Sequence, residues 1–172
     1  MNEQIPIRRL VPGDCVTISE AFAEQGWDKP SGQFQNYLAE QTEGKREVFV
    51  AEIDREFAGY VTLLWLSKYP PFLEKNIPEV CDLNVLIKFR NRGTGSALLE
   101  VAERIASKQT TTIGIGVGLT DDYGDAQRLY VNRGYIPDGR GVSQNGTPLE
   151  YGDKVTVDDD LNLYFIKTLT RP

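Results

Sequence analysis

Between Glu79 and Tyr135 the apolar spacing changes from strand to helix and back twice, and this restricts the chain to a sheet with helices packed on it. Glu79 to Lys88 reads as a strand. Ala97, Leu98, Val101, Ala102 and Ile105 then form one apolar stripe of a helix from Gly93 to about Ser107. Thr111 to Leu119 is a strand, Asp125 to Arg133 a helix, and Tyr135 opens a strand or turn. This β-α-β-α order belongs to an α/β or α+β protein.

The remaining segments add to the same sheet. Ile5 to Leu10 is a strand, and Asp14 is placed to cap a helix that runs to about Gln25 and ends at Gly26. Pro30-Ser31-Gly32 opens a second helix carrying Phe34, Tyr37 and Leu38. Val48 to Ile53 and Ala58 to Leu66 flank the turn Asp54-Arg55-Glu56 as an antiparallel hairpin. Ser67 to Pro78, with Pro70, Pro71 and Pro78, is expected to be a loop carrying aromatics. Asp138 to Asp160 reads as an irregular excursion, and Leu161 to Leu169 as a final strand. At 172 residues the chain is expected to form a single domain over 1–172.

Composition limits the chemistry. No histidine is present, so no Ser-His-Asp or Cys-His relay can be built, and no metal site is expected. Cys15 and Cys81 are too few for a disulfide framework and suit a reducing cytoplasm. The 25 acidic residues outnumber the 19 basic ones for a net charge of −6, which disfavours nucleic acid and anionic membranes as partners. The start, Met1 to Pro6, carries neither a basic flank nor an apolar stretch, so neither secretion nor membrane insertion is expected.

The strand-to-helix junction reads Arg90-Asn91-Arg92-Gly93-Thr94-Gly95-Ser96. Its glycines fall at the amino end of the helix, where unpaired N–H groups and the helix dipole suit a diphosphate. The plainer account is a turn that uses glycine for its positive φ. A Walker loop is excluded because Gly-Lys-Ser/Thr is missing, and Leu98 stands where a dinucleotide fingerprint needs its third glycine. The Arg-x-x-Gly-x-Gly spacing after a strand resembles the acyl-CoA-binding motif of the GNAT superfamily of N-acetyltransferases. A second segment, Ala126-x-x-Leu129-Tyr130-x-x-x-Gly134-Tyr135, resembles that superfamily's other motif. The plainer account of Tyr130 is a core aromatic.

The resemblance implies a fold and a site. The fold is a central mixed, mostly antiparallel twisted sheet with helices on both faces and splayed middle strands. The expected acetyl-CoA contacts are Leu83, Val85, Leu86 and Ile87 on and after the strand, Arg90, Asn91, Arg92, Gly93, Thr94, Gly95 and Ser96 in the loop, and Tyr123 and Ala126 beyond. Tyr123 departs from the asparagine frequent at its place. Tyr130 matches the residue that protonates the CoA sulfur. Gly114, Gly116 and Gly118 share one bare strand face, which calls for a packed helix or a closely approaching ligand, with the splayed strands of the superfamily favouring the ligand.

Acyl transfer to an amine needs a neutral nucleophile, a polarised carbonyl and a proton for the departing sulfur. Backbone N–H groups around Val85 are expected to polarise the carbonyl. Glu79 and Asp82 are the candidate bases, on opposite faces of a regular strand unless a bulge intervenes. Asp82 is preferred, because flanking Leu83 and Val85 would desolvate it. Trp27, Tyr69 and Phe72 are expected to wall the acceptor site, and Glu150 with Asp158 to Asp160 to attract a cationic amine. The expected activity is transfer of an acetyl group from acetyl-CoA to a primary amine of a small molecule or peptide by direct attack in a ternary complex. A non-catalytic acyl-CoA-binding module of the same fold and a nucleotide-binding protein are the alternatives, and a homodimer is possible.

Overall fold

A computed structural model describes residues 5–170. The strands are β1 (Ile7–Arg9), β2 (Arg46–Ile53), β3 (Glu56–Leu64), β4 (Glu79–Val85), β5 (Thr112–Gly118), β6 (Ile136–Gln144), β7 (Thr147–Pro148) and β8 (Leu161–Thr168). The helices are α1 (Asp14–Glu24), α2 (Ser31–Thr42), α3 (Pro70–Glu74), α4 (Thr94–Ala106) and α5 (Gly124–Asn132). The hydrogen-bonded order is β1-β2-β3-β4-β5-β8-β6-β7, a mixed and mostly antiparallel sheet. Residues 1–4, which open the amino-terminal segment read above, lie outside the described residues.

The chain divides into two compact units, Met1–Leu64 with Cys81–Arg104 and Trp65–Val80 with Ile105–Pro172. In the first, β2 and β3 pair antiparallel across a tight turn at Asp54 and Arg55, whose φ values of 54° and 67° fit a two-residue hairpin. The core there is aromatic. Phe22 and Phe34 both set ring edges against Tyr60, with centroids at 5.9 and 5.2 Å. Val48, Val50, Leu86 and Phe89 complete it.

In the second unit β4 pairs parallel with β5 at Glu79–Gly114 and Val80–Ile115, the parallel register found among the described residues. β5 then runs antiparallel to β8 along its whole length. Ile113, Ile115 and Val117 are buried as their alternation predicts. A second aromatic cluster joins Tyr69, Phe72 and Tyr164, with Tyr69 stacked on Tyr164 at 3.7 Å.

Four local expectations are corrected. Ser67 to Pro78 is not wholly a loop: Pro70 and Pro71 occupy the first positions of α3, where a missing N–H costs nothing. Asp14 does not cap α1; it is the first helical residue, and its carboxylate takes N–H groups from Val11 and both terminal nitrogens of Arg8. β4 stops at Val85 and a 3₁₀ turn over Ile87–Phe89 takes its place. The start of the excursion is ordered as the end of β6 and as β7, which pair at Ser143–Pro148 and Gln144–Thr147.

Candidate active site

Within the first unit the β4-to-α4 junction forms an open cationic loop. Gly93 has φ +84° and a Cβ placed on it would meet nothing within 4 Å. Asn91 is also left-handed at φ +59°. Thr94 is buried and turns its hydroxyl back to the Phe89 carbonyl at 3.3 Å, which draws the loop tight at the helix start. Arg90 and Arg92 are exposed, with Arg90 over the Trp27 ring at 5.4 Å and Arg92 over Phe89 at 5.5 Å. The first turn of α4 holds no acidic residue. Orphan N–H groups, two guanidiniums and a first turn free of acid suit an anion. Trp27 is half-buried and stacks on Phe22 at 5.8 Å.

Not all of the expected contacts around this loop are free to serve. Leu86 is buried and its N–H donates to the Ala58 carbonyl, while the Ile87 N–H donates to the Gln25 side chain at 3.0 Å. Those two amides are withdrawn from any ligand. Leu83 and Val85 are half-buried on β4.

Asp82 differs most from its sequence expectation. Its φ of +53° breaks the pleat of β4, so the alternation that would place Glu79 and Asp82 on opposite faces does not hold. Its carboxylate is met by polar donors rather than by Leu83 and Val85. Gln33 Nε2 and Tyr37 Oη donate to it at 2.8 Å each, Asn84 Nδ2 at 2.7 Å and Lys29 Nζ at 3.1 Å, and Tyr60 Oη donates as well. Five donors fill the roughly four lone-pair sites of a carboxylate. The preference for Asp82 as the base is therefore set aside, because its carboxylate is already engaged by a lysine and four neutral donors. Four of these five partners, Lys29, Gln33, Tyr37 and Tyr60, lie 22 to 53 residues away, where no local spacing reveals them. Tyr37 carries the helical spacing of Phe34 and Leu38, which gives no sign of Asp82.

The second unit holds Glu79, the bare strand face and Tyr130. Glu79 is half-buried and accepts the Ser67 hydroxyl, which itself accepts the Tyr69 N–H. The glycine face of β5 is closed by rings. A Cβ on Gly114 would overlap Phe72, one on Gly116 would lie 2.9 Å from Tyr164, and one on Gly118 2.5 Å from Tyr123. The ligand expected there is thus replaced by aromatic packing. Tyr69 and Phe72, each 1% exposed, belong to that packing and not to an acceptor wall. Tyr123 reaches Asp159 through its hydroxyl at 3.0 Å, and Ala126 is half-buried on α5. Glu150 and Asp158 to Asp160 are exposed, and Asp158 is occupied with Gln144 and the Asp160 N–H. Tyr130 is buried on α5, and burial, helped by Tyr123, raises its phenol well above the ordinary range. It keeps its proton throughout the neutral range.

The Acetyltransferase (GNAT) family profile matches residues 15–135, well over half of the chain. The chain belongs to the GNAT acetyltransferase family. No curated protein matches it by sequence. Solved structures carry the same fold. An N-acetyltransferase from Staphylococcus aureus Mu50 is similar with a TM-score of 0.71 and 16% identity, over 98% of this chain and 100% of that one. yncA from Salmonella typhimurium, solved with its cofactor acetyl-CoA, has a TM-score of 0.68 and 18% identity over 99% and 96%. A chimera of the spermidine N-acetyltransferase SpeG from Vibrio cholerae with hSSAT has 0.69 and 14% over 96% of each chain.

The family's acetyl-CoA fits the loop at α4 on the chain's own terms. Gly93 offers an unobstructed approach, and Arg90 and Arg92 supply charge to a diphosphate. Cys81, half-buried with its carbonyl bound by the Thr62 hydroxyl, lacks a neighbouring imidazole to activate it.

Proposed function

We propose that the protein transfers the acetyl group of acetyl-CoA to a primary amine of a small molecule or peptide, by direct attack in a ternary complex. The observation that carries this is the α4 end: an open, left-handed Gly93 between two exposed arginines, with no acid in the first helical turn. Acetyl-CoA supplies an activated acyl group as a thioester. Gly93, Gly95 and Ser96 present N–H groups to its diphosphate, and Arg90 and Arg92 neutralise the charge. Tyr130 holds a phenolic proton through the neutral range and gives it to sulfur as the C–S bond breaks and the N–C bond forms. Glu79 is the carboxylate for the amine proton, received through water, since the Asp82 carboxylate is already engaged by a lysine and four neutral donors. Tyr130 then recovers its proton from solvent.

Thiol release from acetyl-CoA, followed with a panel of polyamines, aminoglycosides and peptides, tests the proposal. Tyr130→Phe is expected to lower kcat about 100- to 1,000-fold while leaving the affinity for acetyl-CoA within about twofold. Tight binding of acetyl-CoA with no release by any amine would instead favour a non-catalytic acyl-CoA-binding module. Protection from thermal unfolding by ATP or NAD and not by acetyl-CoA would favour a nucleotide-binding protein.

A further inference from the structure

The carboxylate of Asp82 is already paired with a cation, on a tether. Lys29 lies in the connection between α1 and α2, directly before Pro30. Its Nζ is 3.1 Å from Asp82 Oδ1 and 5.7 Å from the ring centroids of both Phe22 and Tyr60. A carboxylate with two aromatic faces is the set of groups that recognises an alkylammonium. The side chains of Lys29 and Asp82 remain 17% and 20% exposed, so the occupant can exchange with solvent.

The carboxylate does not depend on that lysine for its place. Gln33 and Tyr37 on α2, Tyr60 on β3 and Asn84 on β4 all hold it. Burial, reinforced by the charge of Asp82, raises both phenols far above the ordinary range, so they stay donors at neutral pH. Four neutral donors on regular elements thus fix the anion, and the single cation arrives from an irregular connection.

We propose that this site anchors a charged nitrogen of the acceptor, which takes the place of the Lys29 ammonium, and that the acceptor is a diamine or polyamine. A nitrogen paired with a carboxylate keeps its proton and has no lone pair to attack with. The anchored nitrogen is therefore not the one acetylated, and a second amine on the same molecule is required. The second amine rests on the acetyl-transfer proposal above, whereas the ammonium site does not.

Calorimetry with n-butylammonium chloride at fixed ionic strength and without acetyl-CoA reads the site alone. Lys29→Met removes the tethered charge and keeps an apolar stem, and it is expected to bind the probe about tenfold tighter than the unaltered protein, because an intramolecular competitor is gone. Adding Asp82→Asn should abolish that binding. If the double variant does not fold, 15N-lysine-labelled unaltered protein gives the same answer: n-butylammonium should move the Lys29 Nζ signal to that of a solvated lysine. In turnover, 1,4-diaminobutane is expected to be acetylated and n-butylamine to inhibit it competitively without being acetylated. No gain in binding by Lys29→Met, a Lys29 signal that stays put at saturating probe, or n-butylamine acetylated as readily as the diamine would overturn the proposal. Ammonium binding without any acetyl transfer would fault the transfer reaction and leave the ammonium site standing.

Discussion

Two glycine-bearing segments of this chain look alike as sequence and differ in what the missing side chains make room for. At the amino end of α4, Gly93 is left-handed and faces open space. On β5, Gly114, Gly116 and Gly118 have ordinary strand geometry and face the rings of Phe72, Tyr164 and Tyr123. The first glycine is needed for its backbone conformation and leaves room for a ligand. The other three are needed for their small size, and the chain's own aromatic residues take the room. A glycine at a helix start and a glycine within a strand are thus evidence of different things, even when both lack a side chain.

That contrast breaks most sharply at Gly114. Gly114→Val forces Phe72 out of a filled site and is expected to cost about 3 kcal/mol of stability, measured by urea unfolding, while protein that remains folded binds acetyl-CoA as before. A stable Gly114→Val protein that had lost acetyl-CoA would turn the β5 face back into a ligand surface. Gly93→Ala should show the opposite balance. Its positive φ costs about 1–2 kcal/mol of stability, and acetyl-CoA affinity falls as well, because the added methyl enters the open side of the loop. Arg90→Ala with Arg92→Ala is expected to weaken acetyl-CoA binding by about tenfold at low salt and less at high salt, with little change in the unfolding midpoint.

The smallest effect separates the two regions by pH. On the aromatic face Tyr69 donates to Asp138 at 2.9 Å, and burial together with that carboxylate pushes its phenol up to about 12. The folded value lies above the ordinary tyrosine value near 10, so the contribution of Tyr69 is complete below about pH 10 and is lost as pH rises toward 12. Urea midpoints of the unaltered protein should fall across that window, and Asp138→Asn should make the fall shallower. Arg90→Ala should leave its slope unchanged.

What the sequence disclosed follows the range over which each interaction acts. The α4 loop and the α5 segment were legible because glycine placement, helix spacing and the motifs they form are local. The hairpin at Asp54 and the left-handed Gly134 after α5, with φ +89°, were legible for the same reason. Asp82 was not, since Lys29, Gln33 and Tyr37 reach it from 45 to 53 residues away. Asp14 went to Arg8 in place of a cap because a bidentate guanidinium outcompetes a helix N–H. Tyr69 and Phe72 gave the pattern of a proline-rich loop, and only the bare face of β5 shows why they are buried.

The central claim is that the amino end of α4 holds the diphosphate of acetyl-CoA. Titration calorimetry of acetyl-CoA into the unaltered protein tests it most directly, with Gly93→Ala and the Arg90→Ala, Arg92→Ala pair alongside. Saturable heat that weakens in both variants is the predicted result. No heat with the unaltered protein, or heat that neither variant changes, would contradict it.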